Sequence, residues 1–216
     1  MLSSYLNITV AAEWAAFIAA IILLDKPTGR WRLFKIITLV TILLDAAGWY
    51  LSYSRLLYYN ALPYNFLLLI TVVLFISLLG GATPGMKKHS RWLMALFSLG
   101  WLLNFIFLQG MDAYNSYTEI AGNILLAGMS CFLFYALLVQ EQYINLLRYE
   151  YAWLAIGLLL SAMGSMVLYL FLDYLQNYYN VTGIPLYAYI NYTVNVFLYS
   201  CLIIAFVCRR KNTRPA

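Results

Sequence analysis

The sequence predicts an all-α polytopic membrane protein, a seven-transmembrane-helix bundle forming one domain over residues 1–216, with its N-terminus outside and its C-terminus cytoplasmic. Three observations carry that prediction. Of the 216 residues, 64% are hydrophobic and only 10% are charged, too few to solvate the surface of a water-soluble domain. Apolar stretches long enough to cross a hydrocarbon core of about 30 Å recur seven times. All thirteen lysines and arginines except Arg55 fall at one set of span ends, which the positive-inside rule assigns to the cytoplasm.

The spans lie near 7–24, 34–55, 64–82, 92–109, 118–139, 151–172 and 186–208. The first lacks a basic leader and carries Glu13 and Trp14 inside its apolar run, so it reads as a retained span rather than a signal peptide. The basic turn "DKPTGRWRLFK" precedes the second, which holds Asp45 in "LLDAAGWYLSYSRLLYYN" with no lysine, arginine or histidine within nine residues on either side. "TPGMKKHSR" is a tight basic turn before the fourth span. In the sixth, Gly157, Ser161 and Ser165 recur at four-residue steps and predict a face of close helix approach. The last span ends in the basic tail "RRKNTRPA". With connections this short, no soluble block remains for an extramembrane catalytic domain.

Three outward-running spans share a pattern. "LDAAGWYLS", "LFSLGWLLN" and "LSAMGSMVL" place Gly48, Gly100 and Gly164 alike, and each is followed by a tyrosine-asparagine loop and an inward span opening near Asn65, Asn123 or Asn195. Three related hairpins after a lone first helix would produce this, as would the common need of bundles for small residues at contacts. The twenty tyrosines and six tryptophans cluster near span ends and read first as an aromatic belt. Cys131, Cys201 and Cys208, an odd number without a CxxC pair, read as packing groups.

Depth picks out candidate site residues. At about 1.5 Å per residue, Asp45 is about 15 Å from Lys35, and Glu13 lies at a similar level on the first span. Asn104, Asn123 with Glu119, Asn191 and Asn195 all fall in the outer half, whereas the inner half has no comparable polar set. On the second span Asp45, Trp49 and Tyr53 share a stripe, as do Tyr187, Asn191, Asn195 and Tyr199 on the last. Ionisable groups at this depth cost several kcal/mol if they face lipid. The expectation is an outward-opening polar cavity lined by Glu13, Asp45, Trp49, Tyr53, Asn104, Asn123, Asn191 and Asn195. The alternative is that the two carboxyls only join neighbouring helices through hydrogen bonds.

Several activities are excluded by what the sequence lacks. There is no HExxH, GxSxG or phosphate-binding loop, and the one histidine, His89, sits in a basic turn. The last span has no lysine for a retinal Schiff base. The basic residues follow helix ends rather than a stripe, so nucleic acid is not an expected partner and no cofactor is expected.

The stretches "GWYLSYSRLLYYNALPYNFLLL", "YEYAWLAIGLLLSAMGSMVLYLF" and "YAYINYTVNVFLYSCLIIAFVCRRK" resemble a widespread group of seven-helix membrane proteins of similar length in Bacteroidota. The resemblance runs along nearly the whole chain. Members of that group have no established activity and stand near sensor kinases and response regulators, which implies a seven-helix fold in a sensory setting. This chain departs from the group early in the third span, where Asn65 and Phe66 stand in place of an acidic residue.

The leading expectation is a receptor-like or sensory protein of the cytoplasmic (inner) membrane. It would sit in membrane lipid, take a small molecule or lipid from outside, and address a cytoplasmic signalling partner. One alternative is an intramembrane enzyme using Glu13 and Asp45 as an acid-base pair on a lipid-like substrate, which requires the two carboxyls to converge at one cavity. Another is a proton-coupled transporter, which requires access from both sides.

Overall fold

The computed structural model describes residues 2–24, 31–53, 61–83, 85–110, 113–139 and 145–213, with the side chains of 2–7, Trp49 and 51–53 excepted. The expectations for Arg55 and for the turn between the first two helices lie outside the described residues.

Among the described residues the chain is helical almost throughout and has no strand. Seven long helices are present: α1 (Leu2–Leu23), α2 (Arg32–Tyr53), α3 (Ala61–Ala82), α4 (Met86–Leu103), α5 (Ser116–Val139), α6 (Glu150–Leu170) and α8 (Leu186–Thr213). A short α7 (Leu172–Thr182) follows α6. Five are long and apolar enough to cross a membrane: α3, α4 with the π-helical turn Asn104–Leu108 that continues it, α5, α6 and α8. In α1 a shorter apolar stretch, Ile8–Leu23, does not reach that length. Large apolar side chains on α4 and its π-helical continuation, among them Trp92, Leu96 and Phe107, are exposed, as a lipid-facing helix requires.

The packing order explains where a cavity can form. Helix α1 packs on α2 and α8, α2 on α3, α3 on α5, α5 on α6, and α6 on α8. Six helices thus close a ring, and α4 packs against α3 and α5 from outside it. Two glycines permit the tightest contact in this ring. A Cβ on Gly157 would meet Cys201, and one on Gly164 would run into Val194, so the backbone of α6 lies against α8. The predicted close face of α6 is therefore carried by Gly157 and Gly164, while Ser161 and Ser165 turn toward the ring interior.

Helix α4 is held to α3 by another such contact. A Cβ on Gly80 would overlap Ser90, which is fully buried. Because the obstructing atoms sit at the root of a short side chain, neither helix can yield without moving backbone. Gly80→Ala is expected to lose about 2 kcal/mol, within the range for overpacked cores. A lowered unfolding temperature in detergent would show it, and an unchanged one would mean that α4 is only loosely attached.

At the end of the bundle carrying the basic residues, the ring interior is filled. Trp31, Phe34, Phe75 and Phe206 pack on one another, with Trp31–Phe34 and Phe34–Phe206 centroids 5.1 Å apart. Trp31 Nε1 donates to the Tyr151 hydroxyl at 2.8 Å. Arg209 reaches the buried Glu150 at 2.8 Å and lies over the Trp31 ring at 5.6 Å. Asn212 donates to Glu150 at 2.7 Å and to the Arg148 carbonyl at 3.1 Å. These polar ties carry α8 to Thr213, beyond the expected end at 208.

At the opposite end, α7 replaces the loop expected between the last two spans. Phe171, with φ −107°, interrupts α6. Gly183, with φ 70°, then ends α7, its N–H donating to the Tyr179 carbonyl at 2.8 Å in a left-handed cap that favours glycine. Pro185 follows two residues later.

Candidate functional site

A cavity of about 690 Å³ occupies the ring at the end away from the basic residues. It is lined from the first halves of α1, α3, α5 and α8 and the second halves of α2 and α6. Glu13, Asp45, Glu119, Asn123, Asn191 and Asn195 all fall at this level, and hydrogen-bonding groups in an apolar bundle turn inward because lipid offers them no partner. The floor consists of Val72, Phe75, Leu126, Leu158, Leu198 and Leu202, beneath which lies the packed aromatic core.

One wall is built around two carboxyls. Glu13, on α1, is 4% exposed, and its Oε1 accepts from the Tyr199 hydroxyl of α8 at 3.3 Å. Asp45, on α2, lies within hydrogen-bonding reach of the Glu13 carboxyl. Glu13 Oε2 is buried and receives no N–H or hydroxyl donor among the described residues. Two carboxyls can hydrogen-bond only through a proton, so the contact calls for one proton shared by the pair. Tyr64 flanks the pair because Gly48 leaves room for its ring: a Cβ on Gly48 would overlap the Tyr64 phenol.

A second acidic group stands on α5. Glu119 Oε2 accepts from Tyr114 at 2.9 Å and Oε1 from Asn123 at 3.2 Å. The Tyr114 and Tyr169 rings stack with centroids 5.7 Å apart, and the Tyr169 hydroxyl donates to that of Tyr114 at 3.3 Å. Tyr187 of α8 lies beside Tyr169. Glu119 accepts both hydrogen bonds and donates neither, the pattern suited to a carboxylate. Tyr114 is held in place by its neighbours: Asn65 donates to the Ala113 carbonyl and accepts from the Asn115 N–H, each at 2.9 Å.

Family models, curated proteins and solved structures give no match to this chain. Its chemistry therefore has to be argued from the cavity itself.

Of the expected site residues, the structure brings Glu13, Asp45, Asn123, Asn191 and Asn195 to one cavity. Asn195 Nδ2 donates to the Asn191 side-chain oxygen at 3.0 Å and to its carbonyl at 2.9 Å, which fixes both on α8. Asn104 is not among them. It sits where α4 meets α5, donating at 2.8 Å to both Gln109 and Thr118. Depth alone had placed it with the site, but α4 lies outside the ring. The side chains of Trp49 and Tyr53 lie outside the described residues.

The expected set omits Glu119 and the tyrosines Tyr64, Tyr114, Tyr169, Tyr187, Tyr192 and Tyr199, all of which line the cavity. Tyr187 and Tyr199 share the asparagine stripe of α8, a spacing that could have signalled them. Tyr64, Tyr114 and Tyr169 carry no such signal. In sequence they do not differ from tyrosines of an interfacial belt.

Proposed function

We propose that the chain is a seven-span, receptor-like protein of the cytoplasmic membrane, with α1 and α2 completing the five membrane-length helices, that binds a small molecule entering from outside. The observation that carries this reading is the one-ended cavity: about 690 Å³, ringed by six helices at the end away from the basic residues and closed below by aromatic packing. That volume lies in the range of small-molecule sites, about 300–1,000 Å³. The positive-inside rule puts the open end outside. Helix α8 carries Asn191, Asn195 and Tyr199 at the cavity and Arg209 and Asn212 at the basic end. A ligand that shifts this helix would present a changed surface to a cytoplasmic signalling partner, in keeping with the sensory setting implied by the resemblance.

Cysteine labelling tests the reading, in a Cys131→Ser background because the other two cysteines are buried. In intact cells an impermeant maleimide should label Asn180→Cys on exposed α7 and Ser165→Cys in the cavity, and should label His89→Cys only after permeabilisation. A small-molecule extract of the growth medium should slow labelling of Ser165→Cys and leave Asn180→Cys unaffected. Labelling of His89→Cys in intact cells would reverse the orientation. Protection at neither position would remove the binding role.

One observation favours the second reading, an acid-base enzyme acting on a lipid-like substrate: Glu13 and Asp45 meet directly at the cavity wall. Carboxyl pairs sharing one proton serve as acid and base in some hydrolases. Closure of the basic end by Trp31, Phe34 and Phe206 counts against a transporter, which needs a path to that side.

A further inference from the structure

We propose that the cavity takes an organic cation, an amine or quaternary ammonium compound. The proposal rests on the receptor reading above and names its class of ligand. Three carboxyls, Glu13, Asp45 and Glu119, line the cavity, and among the described lining residues there is no lysine, arginine or histidine. A bound cation would favour the ionised forms of these carboxyls, so the walls can supply its counter-charge.

Acidic groups alone would not define a ligand, but two independent features point the same way. Glu13, 4% exposed, and Asp45 meet at the cavity wall, and no described basic side chain lines the cavity beside them. A cation beside the pair would supply the counter-charge that no described lining residue provides. The lining also includes six tyrosines, and aromatic faces attract cations within about 6 Å, the arrangement that recognises choline-like groups.

Competing ligand classes fit less well. A phosphate or carboxylate would enter a space with three acids and no described counter-charge. No three metal-ligating groups converge among the described residues, and about 690 Å³ is far larger than a bare metal ion needs. A purely apolar ligand would leave the polar groups that line the cavity without partners.

The test uses the full chain in dodecyl maltoside, whose sugar head group carries no charge, and titration calorimetry. Probes are choline, tetraethylammonium, the neutral carbon isostere of choline in which tert-butyl replaces trimethylammonium, and tert-butylacetate as the anion of matching shape. The cations are expected to bind at least about tenfold more tightly than the isostere, and the anion not at all. Glu119→Gln keeps an acceptor for Tyr114 and a partner for Asn123, so the fold should hold while affinity for both cations falls about tenfold. If that variant unfolds, the paired change Glu13→Gln and Asp45→Asn carries the same test from the other wall.

Equal binding of the isostere, tighter binding of the anion, or failure of both cations to bind overturns the proposal. If Ser165→Cys is still labelled from outside and protected by extract, only the ligand class falls. If it is not labelled, the receptor reading falls with it.

Discussion

Asn65→Leu is expected to lower the stability of the bundle by about 3 kcal/mol, while Asn115→Leu should be neutral or stabilising. Both asparagines are fully buried in the same contact, and both follow a tyrosine in the sequence. The difference lies in their partners. The Asn65 amide satisfies two backbone groups of the segment before α5, the Ala113 carbonyl and the Asn115 N–H. Leucine has a similar volume but leaves the buried Asn115 N–H without a partner, which costs about 1–3 kcal/mol, and also breaks the bond to the Ala113 carbonyl. The Asn115 side chain has neither its oxygen nor its nitrogen paired among the described residues. Replacing it removes a buried polar group and leaves its backbone N–H on Asn65. Thermal unfolding of the two variants in detergent decides the matter, and equal effects would show that Asn65 does not hold this segment. Since Tyr114 lies between Ala113 and Asn115 and donates to Glu119, Asn65→Leu should also loosen the cavity wall.

The same residues show how far the sequence reaches. Membrane-length helices were legible because hydropathy and the placement of basic residues are properties of a single segment. The structure describes a helix over each predicted span, five of them long and apolar enough to cross a membrane. What was not legible depends on partners distant in the chain. The extension of α8 to Thr213 rests on Glu150, 59 residues before Arg209. The shared hairpin pattern divides in the structure. Gly48 admits the Tyr64 ring and Gly164 the Val194 side chain, but nothing lies within 4 Å of where a Cβ on Gly100 would be. Asn65 binds backbone, Asn123 binds Glu119 and Asn195 binds Asn191, so three residues alike in sequence do three different things. Depth located Glu13 and Asp45 correctly at one level, but it could not distinguish a helix in the ring from one packed outside it. That distinction removed Asn104 from the cavity.

The largest functional effect is expected from changing Glu13 and Asp45 together. In the single variant Asp45→Asn, the new amide donates to Glu13, which then holds its negative charge without a shared proton. The net charge of the pair is unchanged, so affinity for an organic cation should change by less than about threefold, and the fold should persist. The paired change Glu13→Gln and Asp45→Asn keeps amide-to-amide hydrogen bonding across α1 and α2 but removes that charge. Cation affinity should then fall by about a hundredfold, while the neutral isostere binds as before. Asp45→Leu has a different effect: it leaves Glu13 buried with only Tyr199 as its described partner, and stability should drop by about 3 kcal/mol as in other broken buried pairs. Calorimetry for binding and thermal unfolding for stability separate these outcomes. If the single variant Asp45→Asn already abolishes cation binding or any turnover, the shared proton rather than the charge is what the site requires, and the acid-base enzyme becomes the better reading. If the paired variant binds cations as the wild type does, the two carboxyls serve only to join α1, α2 and α8.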